Sequence, residues 1–225
     1  MLAASPVIDS LSEEARRALL ERAPARRLRR GQALVLAGDS GARTSLVTQG
    51  VVKLCARNAD GESTILGLAL AGELVGDIAL LDGTLQPLDA IAATRCEVLS
   101  LSSDALLEAL AASPAAALEL ARALARRHRW LCGAATERAT SPVPARLAGR
   151  LLALVELLGH RRGGAADLEL PVAQEDLGRL AGMSRESACK TLRSFQRAGV
   201  LTYRGRRLRI LRLDALEVIR CSGRG

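Results

Sequence analysis

The residues with the most legible chemistry lie between Leu170 and Leu211, in the string LPVAQEDLGRLAGMSRESACKTLRSFQRAGVLTYRGRRLRIL. Leu177 and Leu180 share one face of a short helical pattern that breaks at Ala181-Gly182-Met183. The pattern restarts at Ser184, a residue type suited to a helix N-cap because its hydroxyl can accept a first-turn amide. In the second segment Ala188, Thr191, Leu192 and Phe195 recur at helical spacing on one side, while Arg185, Glu186, Cys189, Lys190 and Arg193 fall on the other. One face can pack, and the other presents donors and charge. Gly199 stops the helix, and Val200 to Leu211 reads as two short strands around Arg204-Gly205-Arg206, with Arg207 and Arg209 adding charge. The pattern predicts a winged helix-turn-helix that enters DNA.

Charge distribution supports a polyanionic partner. The chain has 225 residues, 32 Lys and Arg against 24 Asp and Glu, and a net charge of +8. Residues 1–141 carry 16 bases and 16 acids, whereas residues 142–225 carry 16 bases and 8 acids, so all of the excess lies in the last third. Positive charge confined to one module gains from releasing the counterions condensed on phosphates; the alternative is an arginine-rich solvated surface. With only Trp130, Phe195 and Tyr203 as aromatics, a platform for stacking single-stranded bases is hard to build, which favours duplex DNA. Five widely spaced cysteines without a CxxC pair suggest neither a disulfide framework nor a zinc site, and they fit a reducing cytosol. No secretory leader pattern and no run of 18 apolar residues occurs, so a cytoplasmic protein without a membrane partner is expected.

The elements that must position the reader can be followed along the chain. DSLSEEARRALLERA (Asp9 to Ala23) reads as an amphipathic helix with Ser10 or Ser12 near its cap. From Leu28 to Leu101, short Val/Leu/Ile/Ala runs are punctuated by Gly50, Gly61, Gly72 and Gly83 at intervals of eleven, which predicts a compact antiparallel β-roll or sandwich. Asp60-Gly61 is its clearest hairpin turn. Ser102 to Leu110 should be a short helix, and Ser113-Pro114 opens a long one. On it Ala117, Ala121, Leu124, His128, Leu131 and Ala135 alternate at spacings of four and three, a heptad seam whose small residues would let two helices approach in a parallel homodimer. The competing reading packs that stripe on the chain's own β-roll. Ser141-Pro142-Val143-Pro144 reads as a stiff hinge, followed by a helix from Arg146 to Leu158, a flexible GHRRGGAA connection and a strand from Asp167 to Leu170. The expected division is 1–112 for a sensor domain, 113–141 for the dimerisation helix and 142–225 for the winged helix-turn-helix.

The order of these elements and four strings, QGVVKL (Gln49 to Leu54), AGELVGDIALLDG (Ala71 to Gly83), TRCEVLSLS (Thr94 to Ser102) and MSRESACKTLRSFQRAGVL (Met183 to Leu201), resemble the cyclic-AMP receptor protein / fumarate-nitrate regulator (CRP/FNR) family of bacterial transcription factors. The resemblance runs from about Leu11 to Leu213 and implies an α+β architecture. An N-terminal cyclic-nucleotide-binding-type β-roll, a long dimerisation helix and a C-terminal winged helix-turn-helix are expected in that order. It assigns base reading to Arg185, Glu186 and Lys190. The chemistry agrees, because arginine can donate two bonds to guanine O6 and N7 and a carboxylate can accept from cytosine N4. Lys190 keeps the charge of the family's arginine but not its planar fork. Ser184, Arg193, Arg206 and Arg207 are the expected phosphate contacts.

The same resemblance exposes a degenerate effector pocket. Cyclic-AMP-binding members carry a Gly-Glu pair and, about ten residues on, an Arg-Ser pair that anchors the phosphate. This chain has Gly76-Asp77 at the first pair, and Pro87 and Leu88 at the second. The Thr-Ser pair that meets adenine in those members aligns with Leu131 and Cys132. Burying a phosphate without a charge-assisted partner is unfavourable, and Asp89 would repel it, so cyclic AMP is not expected to bind. No cysteine group for an iron-sulfur cluster is present, and haem would depend on His128, Cys55 or Cys132. No cofactor and no metal are expected. An apolar small molecule or no effector remains, and oxidation of Cys132 or Cys189 is a further route to control.

The expected function is a homodimeric, sequence-specific transcription regulator acting on a two-fold DNA site, with RNA polymerase as a further partner. The alternatives are a ligand-binding module acting through a protein partner, or a haem- or redox-sensing member of the same family. An enzyme is not expected: the chain lacks a GxxxxGK loop and HExxH, holds only His128 and His160 as histidines, and joins no nucleophile to a base.

Overall fold

The computed structural model describes residues 4–58, 61, 63–169, 174–204 and 207–222. It forms two compact units, Met1–Trp130 and Leu131–Gly225, and the division falls inside one helix.

In chain order the first unit contains α1 (Pro6–Asp9), α2 (Glu13–Glu21), β1 (Ala25–Leu28), β2 (Ala33–Val35), β3 (Arg43–Gln49), β4 (Val51–Arg57), β5 (Ser63–Leu70), β6 (Leu74–Val75), α3 (Asp77–Asp82), β7 (Asp89–Ala92), β8 (Cys96–Ser102), α4 (Ser103–Ala112) and the start of α5 (Pro114–Thr140). Two four-stranded antiparallel sheets, ordered β1-β8-β3-β6 and β2-β7-β4-β5, build the expected β-roll. Leu28, Leu34, Val47, Val52 and Val98 form one buried cluster. A second joins Leu46 and Leu101 to Ile8, Leu106, Leu110 and Leu120, tying the flanking helices to the sheet.

Glycine spacing sets the turns. Gly50, Gly61, Gly72 and Gly83 all have left-handed backbones, with φ of +88°, +80°, +92° and +69°, a region that only glycine enters without a steric penalty. Asp60 lies outside the described residues. The exception inside the roll is α3, a single helical segment bounded by the left-handed Gly76 and Gly83. The N-terminal helix expected from Asp9 to Ala23 is present as α2, shortened to Glu13–Glu21, with the separate short α1 ahead of it. Ser12 is extended and accepts the Ala15 amide at 3.2 Å, so α2 starts there and α1 ends before it. Ser113 opens α5 as expected: its hydroxyl accepts the Ala116 amide at 3.3 Å and donates to the Ser10 carbonyl at 2.9 Å.

The second unit continues from α5 through α6 (Val143–Leu158), β9 (His160–Arg162), β10 (Ala165–Glu169), α7 (Gln174–Leu180), α8 (Arg185–Arg197), β11 (Leu201–Arg204), β12 (Arg207–Ile210) and α9 (Leu213–Cys221). Three expectations are corrected. The GHRRGGAA stretch is not a flexible connection: β9 pairs with β10 around Gly163-Gly164, with Arg162 opposite Ala165 and Gly163 at φ +60°, a two-residue turn that glycine suits. The strand begins at Ala165 rather than Asp167, and Leu170 lies outside the described residues. The long helix ends at Thr140, just before the expected stiff hinge, but the break is shorter than Ser141-Pro142-Val143-Pro144, because Pro142 is already the N-cap of α6 and Pro144 sits in its first turn, where a missing amide hydrogen costs nothing. The sheet order is β11-β12-β10-β9, and α9, which the sequence reading omitted, packs on α6 through the buried Leu216.

Two glycines separate backbone strain from steric contact. Gly83→Ala meets nothing within 4 Å, so unfolding in urea should register only the left-handed backbone, roughly 1–2 kcal/mol. A Cβ at Gly50 would lie 2.3 Å from the Arg95 carbonyl oxygen, so Gly50→Ala should cost at least about 1 kcal/mol more. Equal destabilisation would contradict the close approach.

Candidate functional site

The reading surface grows from α8. Ser184, extended at ψ 156°, accepts the Ser187 amide at 3.1 Å and caps the helix; its hydroxyl also lies 3.0 Å from that of Ser187. Ala188, Thr191, Leu192 and Phe195 are buried, and Thr191 donates to the Ser187 carbonyl at 2.8 Å. Gly178 permits the close crossing of α7 and α8, since a Cβ there would meet the Met183 carbonyl oxygen at 3.0 Å and the Ala188 methyl at 3.4 Å. Periodicity did not identify Gly178; an isolated glycine inside a helical pattern is the signal that could have.

With one face buried, the other is fixed. Arg185, Glu186, Cys189, Lys190, Arg193 and Arg197 line a single open concavity. Cys189 is half-buried, and the other five are exposed. None of those five charged groups takes part in an ion pair among the described residues. Long exposed cations and one carboxylate left uncompensated on a packed helix form a surface prepared for an external partner. The structure therefore brings Ser184, Arg185, Glu186, Lys190 and Arg193 together, and adds Arg197. In the wing, Arg207 is exposed on β12, Arg209 is held 3.4 Å from Asp167, and Arg206 lies outside the described residues.

The second candidate site is the turn from β6 into α3. Gly76 and Asp77 are buried there, and Asp77 is not open. Both of its carboxylate oxygens accept from Arg127 Nη1, at 2.9 and 2.6 Å, and Arg127 also donates to the Leu74 carbonyl. The two side chains are 3% and 19% exposed, so this is a largely desolvated, charge-assisted pair. Gln86 is buried as well and donates its side-chain amide to the Gly76 carbonyl at 3.3 Å. At the other end of α3, the Thr84 hydroxyl and amide donate to Asp82 and hold its carboxyl below the usual carboxylate range.

The remaining expected pocket positions differ in exposure. Pro87 is exposed and Leu88 half-buried; Leu131 and Cys132 are exposed on α5. Asp89 corrects an expectation, because its charge is already matched by Arg57 at 2.7 Å and by the Ala37 amide at 2.9 Å. Arg127 and Gln86 were not foreseen. Arg127 continues the buried stripe Ala116, Leu120 and Leu124 at helical spacing, which is the signal that could have found it. Of the predicted seam, Ala117, Ala121, His128, Leu131 and Ala135 are exposed, whereas Leu124 is partly buried against its own β-roll.

Among the described residues no group of three or more His, Cys, Asp or Glu could hold a metal ion, and no helix is long and apolar enough to cross a membrane.

Comparison with known proteins identifies the family of both regions. Residues 25–113 match the family described as cyclic nucleotide-binding domain, and residues 145–219 match the Crp-like helix-turn-helix domain. The "Cyclic AMP receptor protein" of Thermus thermophilus is 30% identical over 171 residues, 76% of each chain. The "CRP-like cAMP-activated global transcriptional regulator" of Mycobacterium tuberculosis is 29% identical over 177 residues, 79% of each. A CRP-family transcriptional regulator from Thermus thermophilus superposes with a TM-score of 0.72 at 27% identity, covering 89% of this chain and 98% of that one. FixK2 from Bradyrhizobium japonicum shares the fold, with a TM-score of 0.77 at 21% identity over 88% and 96% of the two chains. These curated relatives are transcription regulators, a non-enzymatic class, in agreement with the absence of paired catalytic groups in the sequence.

The Asp77 and Arg127 pair can be tested by stability. Removing one partner of a buried ion pair leaves an uncompensated charge, so Arg127→Ala should destabilise the chain by about 3 kcal/mol in urea unfolding. Adding Asp77→Asn should recover part of that loss. A double variant as unstable as the sum of the two singles would show that the groups do not interact.

Proposed function

This chain belongs to the CRP/FNR family of DNA-binding transcription regulators, and from that premise we propose that it acts as a homodimer on a two-fold DNA site without needing cyclic AMP. The observation that carries the DNA reading is the exposed face of α8, where five charged side chains lack ion-pair partners among the described residues. Arg185 and Glu186 stand one and two residues beyond the cap, the part of a recognition helix that reaches base edges in the major groove. Lys190 follows one turn later. Arg193 and Arg207, together with Arg206, supply the phosphate contacts that set register and salt dependence.

Dimer formation is supported by α5. Its outward stripe of Ala117, Ala121, His128, Leu131 and Ala135 is exposed, while the chain's own core takes the neighbouring stripe of Ala116 and Leu120. Two such stripes from two copies form a seam of small residues, and the resulting axis pairs two readers with two half-sites. Such a regulator works in the cytoplasm, with RNA polymerase as its downstream partner.

Cyclic-AMP independence rests on the β6–α3 turn. The curated relative from Mycobacterium tuberculosis is named as cAMP-activated. In this chain the residues do not fit a cyclic nucleotide: the acid that would meet the ribose is already engaged by Arg127, the Gln86 amide occupies the Gly76 carbonyl, and Pro87 offers no charge for a phosphate. Neither haem nor an iron-sulfur cluster is assigned, and the turn that would set the readers is filled by the protein's own groups.

Selection of bound sequences from random DNA by the apo-protein tests the reading, and a palindromic motif obtained without any effector is the expected outcome. Arg185→Ala should lose about 1–3 kcal/mol of discrimination at one base pair per half-site. Arg207→Ala should weaken all sequences alike and lower the salt slope by about one phosphate. Indistinguishable effects on specific and random DNA would defeat these assignments, and a micromolar calorimetric affinity for cyclic AMP would defeat independence.

A further inference from the structure

Within the C-terminal unit, the last turn of α5 is joined to the reader by contacts that the family resemblance does not assign. Glu137 accepts from Arg150 Nη2 at 2.6 Å and Nε at 3.1 Å, and the two side chains are 21% and 6% exposed. Gly149 makes room for this pair: a Cβ there would lie 2.6 Å from Glu137 Oε1 and 3.1 Å from its Cδ. One residue later, Arg138 lies over Gly182 in the turn between α7 and α8. A Cβ at Gly182 would meet Arg138 Nε at 2.9 Å, Cζ at 3.2 Å and Nη2 at 3.3 Å, so the guanidinium faces the glycine. Arg146, in the first turn of α6, reaches from the Ser141 carbonyl to the Gly182 carbonyl, at 3.4 Å each. Gly182 itself is left-handed, at φ +61°, and stands two residues before the cap of α8.

We propose that Glu137, Arg138 and Arg150 are positioning residues that fix the angle between the end of α5 and the recognition helix, and thereby set the spacing between the two half-sites the dimer accepts. The inference rests on the dimeric reading above. A buried ion pair contributes little net stability compared with apolar packing, but it defines one geometry, because a displaced charge would be left unsatisfied in a dry environment. With Arg150 holding Glu137, the next residue delivers the Arg138 guanidinium against the Gly182 turn. The elbow at Pro142 is then braced on two sides, by α6 and by the helix-turn-helix. Half-sites lie about one helical turn of DNA apart, so a small change of elbow angle shifts the preferred spacer rather than the bases read. Arg138 is exposed and in no ion pair among the described residues, so its loss should leave the unit folded.

Site selection by wild type, Arg138→Ala, Glu137→Gln and the apolar pair Glu137→Met with Arg150→Leu tests this. Affinities are then measured on palindromes whose spacer is lengthened or shortened by one and two base pairs, with thermal melting as a check on folding. Wild type should select one spacer. The variants should select the same half-site but discriminate between spacers about tenfold less, equivalent to ~1.4 kcal/mol. Unchanged spacer preference in folded Arg138→Ala and in the apolar pair overturns the proposal while leaving the dimeric regulator intact. Loss of half-site recognition together with spacing also overturns it, because the contacts would then support the reader's fold rather than its placement. A wild type that selects no two-fold motif defeats the dimeric reading itself.

Discussion

One helix carries charged groups that the rest of the chain must neutralise, and the architecture follows from how it does so. Along α5, Arg127 is drawn into a largely buried pair with Asp77, and ten residues later Glu137 is drawn into another with Arg150. Each pair takes its partner from another element, α3 for Arg127 and the following helix α6 for Glu137, and each fixes a relation that apolar contact alone would leave tolerant of sliding. Leucine against leucine accepts several registers, whereas a guanidinium making two charge-assisted hydrogen bonds to one carboxylate restricts them. Desolvation keeps the net stabilisation small. What the pairs supply is a defined geometry at the β6–α3 turn and at the elbow before α6.

That geometry bears on control. In a ligand-driven regulator the effector supplies differential interaction energy between two arrangements, and without such a difference no ligand shifts the equilibrium. On the proposed reading, the acid that would meet the sugar of a cyclic nucleotide is occupied from within, Asp77 by Arg127, and the Gln86 amide closes on the neighbouring Gly76 carbonyl. A ligand entering that turn must first break a charge-assisted pair and then find a replacement for both halves. On the cyclic-AMP-independent reading proposed above, a nucleotide is disfavoured twice, because Pro87 offers no anchor for its phosphate and Arg127 already holds the acid that would meet its sugar.

Local patterns were legible in the sequence, and long-range pairings were not. The two faces of α8, the eleven-residue glycine rhythm of the β-roll, the proline at the start of α5 and the wing strands all follow from rules that act within a few residues. They could be read from periodicity and turn chemistry. Errors arose where a segment was judged by polarity alone: GHRRGGAA looked like a linker because its strands are short and charged, yet Gly163-Gly164 closes a hairpin. Pro142 and Pro144 looked like a hinge because proline breaks helices, although it is equally at home in a first turn. Asp89 looked repulsive because Arg57 lies thirty-two residues away in sequence and beside it in space. At the sites, residue types were readable but their partners were not, which is why Arg127, Gln86, Glu137 and Arg138 emerged only from the fold.

The reading surface and the interior use the same residue type in opposite ways. Arg127 and Arg150 are mostly buried and engaged, so their charge is spent on internal geometry. Arg185, Arg193 and Arg197 are exposed without ion-pair partners among the described residues, so theirs remains available to phosphates and guanines. The +8 excess in the last third of the sequence therefore understates the contrast between the two surfaces. Arg150 contributes to that count but is neutralised inside the fold, while α8 concentrates uncompensated cations on one strip with Glu186 as its single acid. Such a strip attracts duplex DNA of any sequence. With base reading assigned to Arg185 and Glu186 as proposed, discrimination then depends on how rigidly they are aimed, which is where the capped start of α8 and the braced Gly182 turn meet.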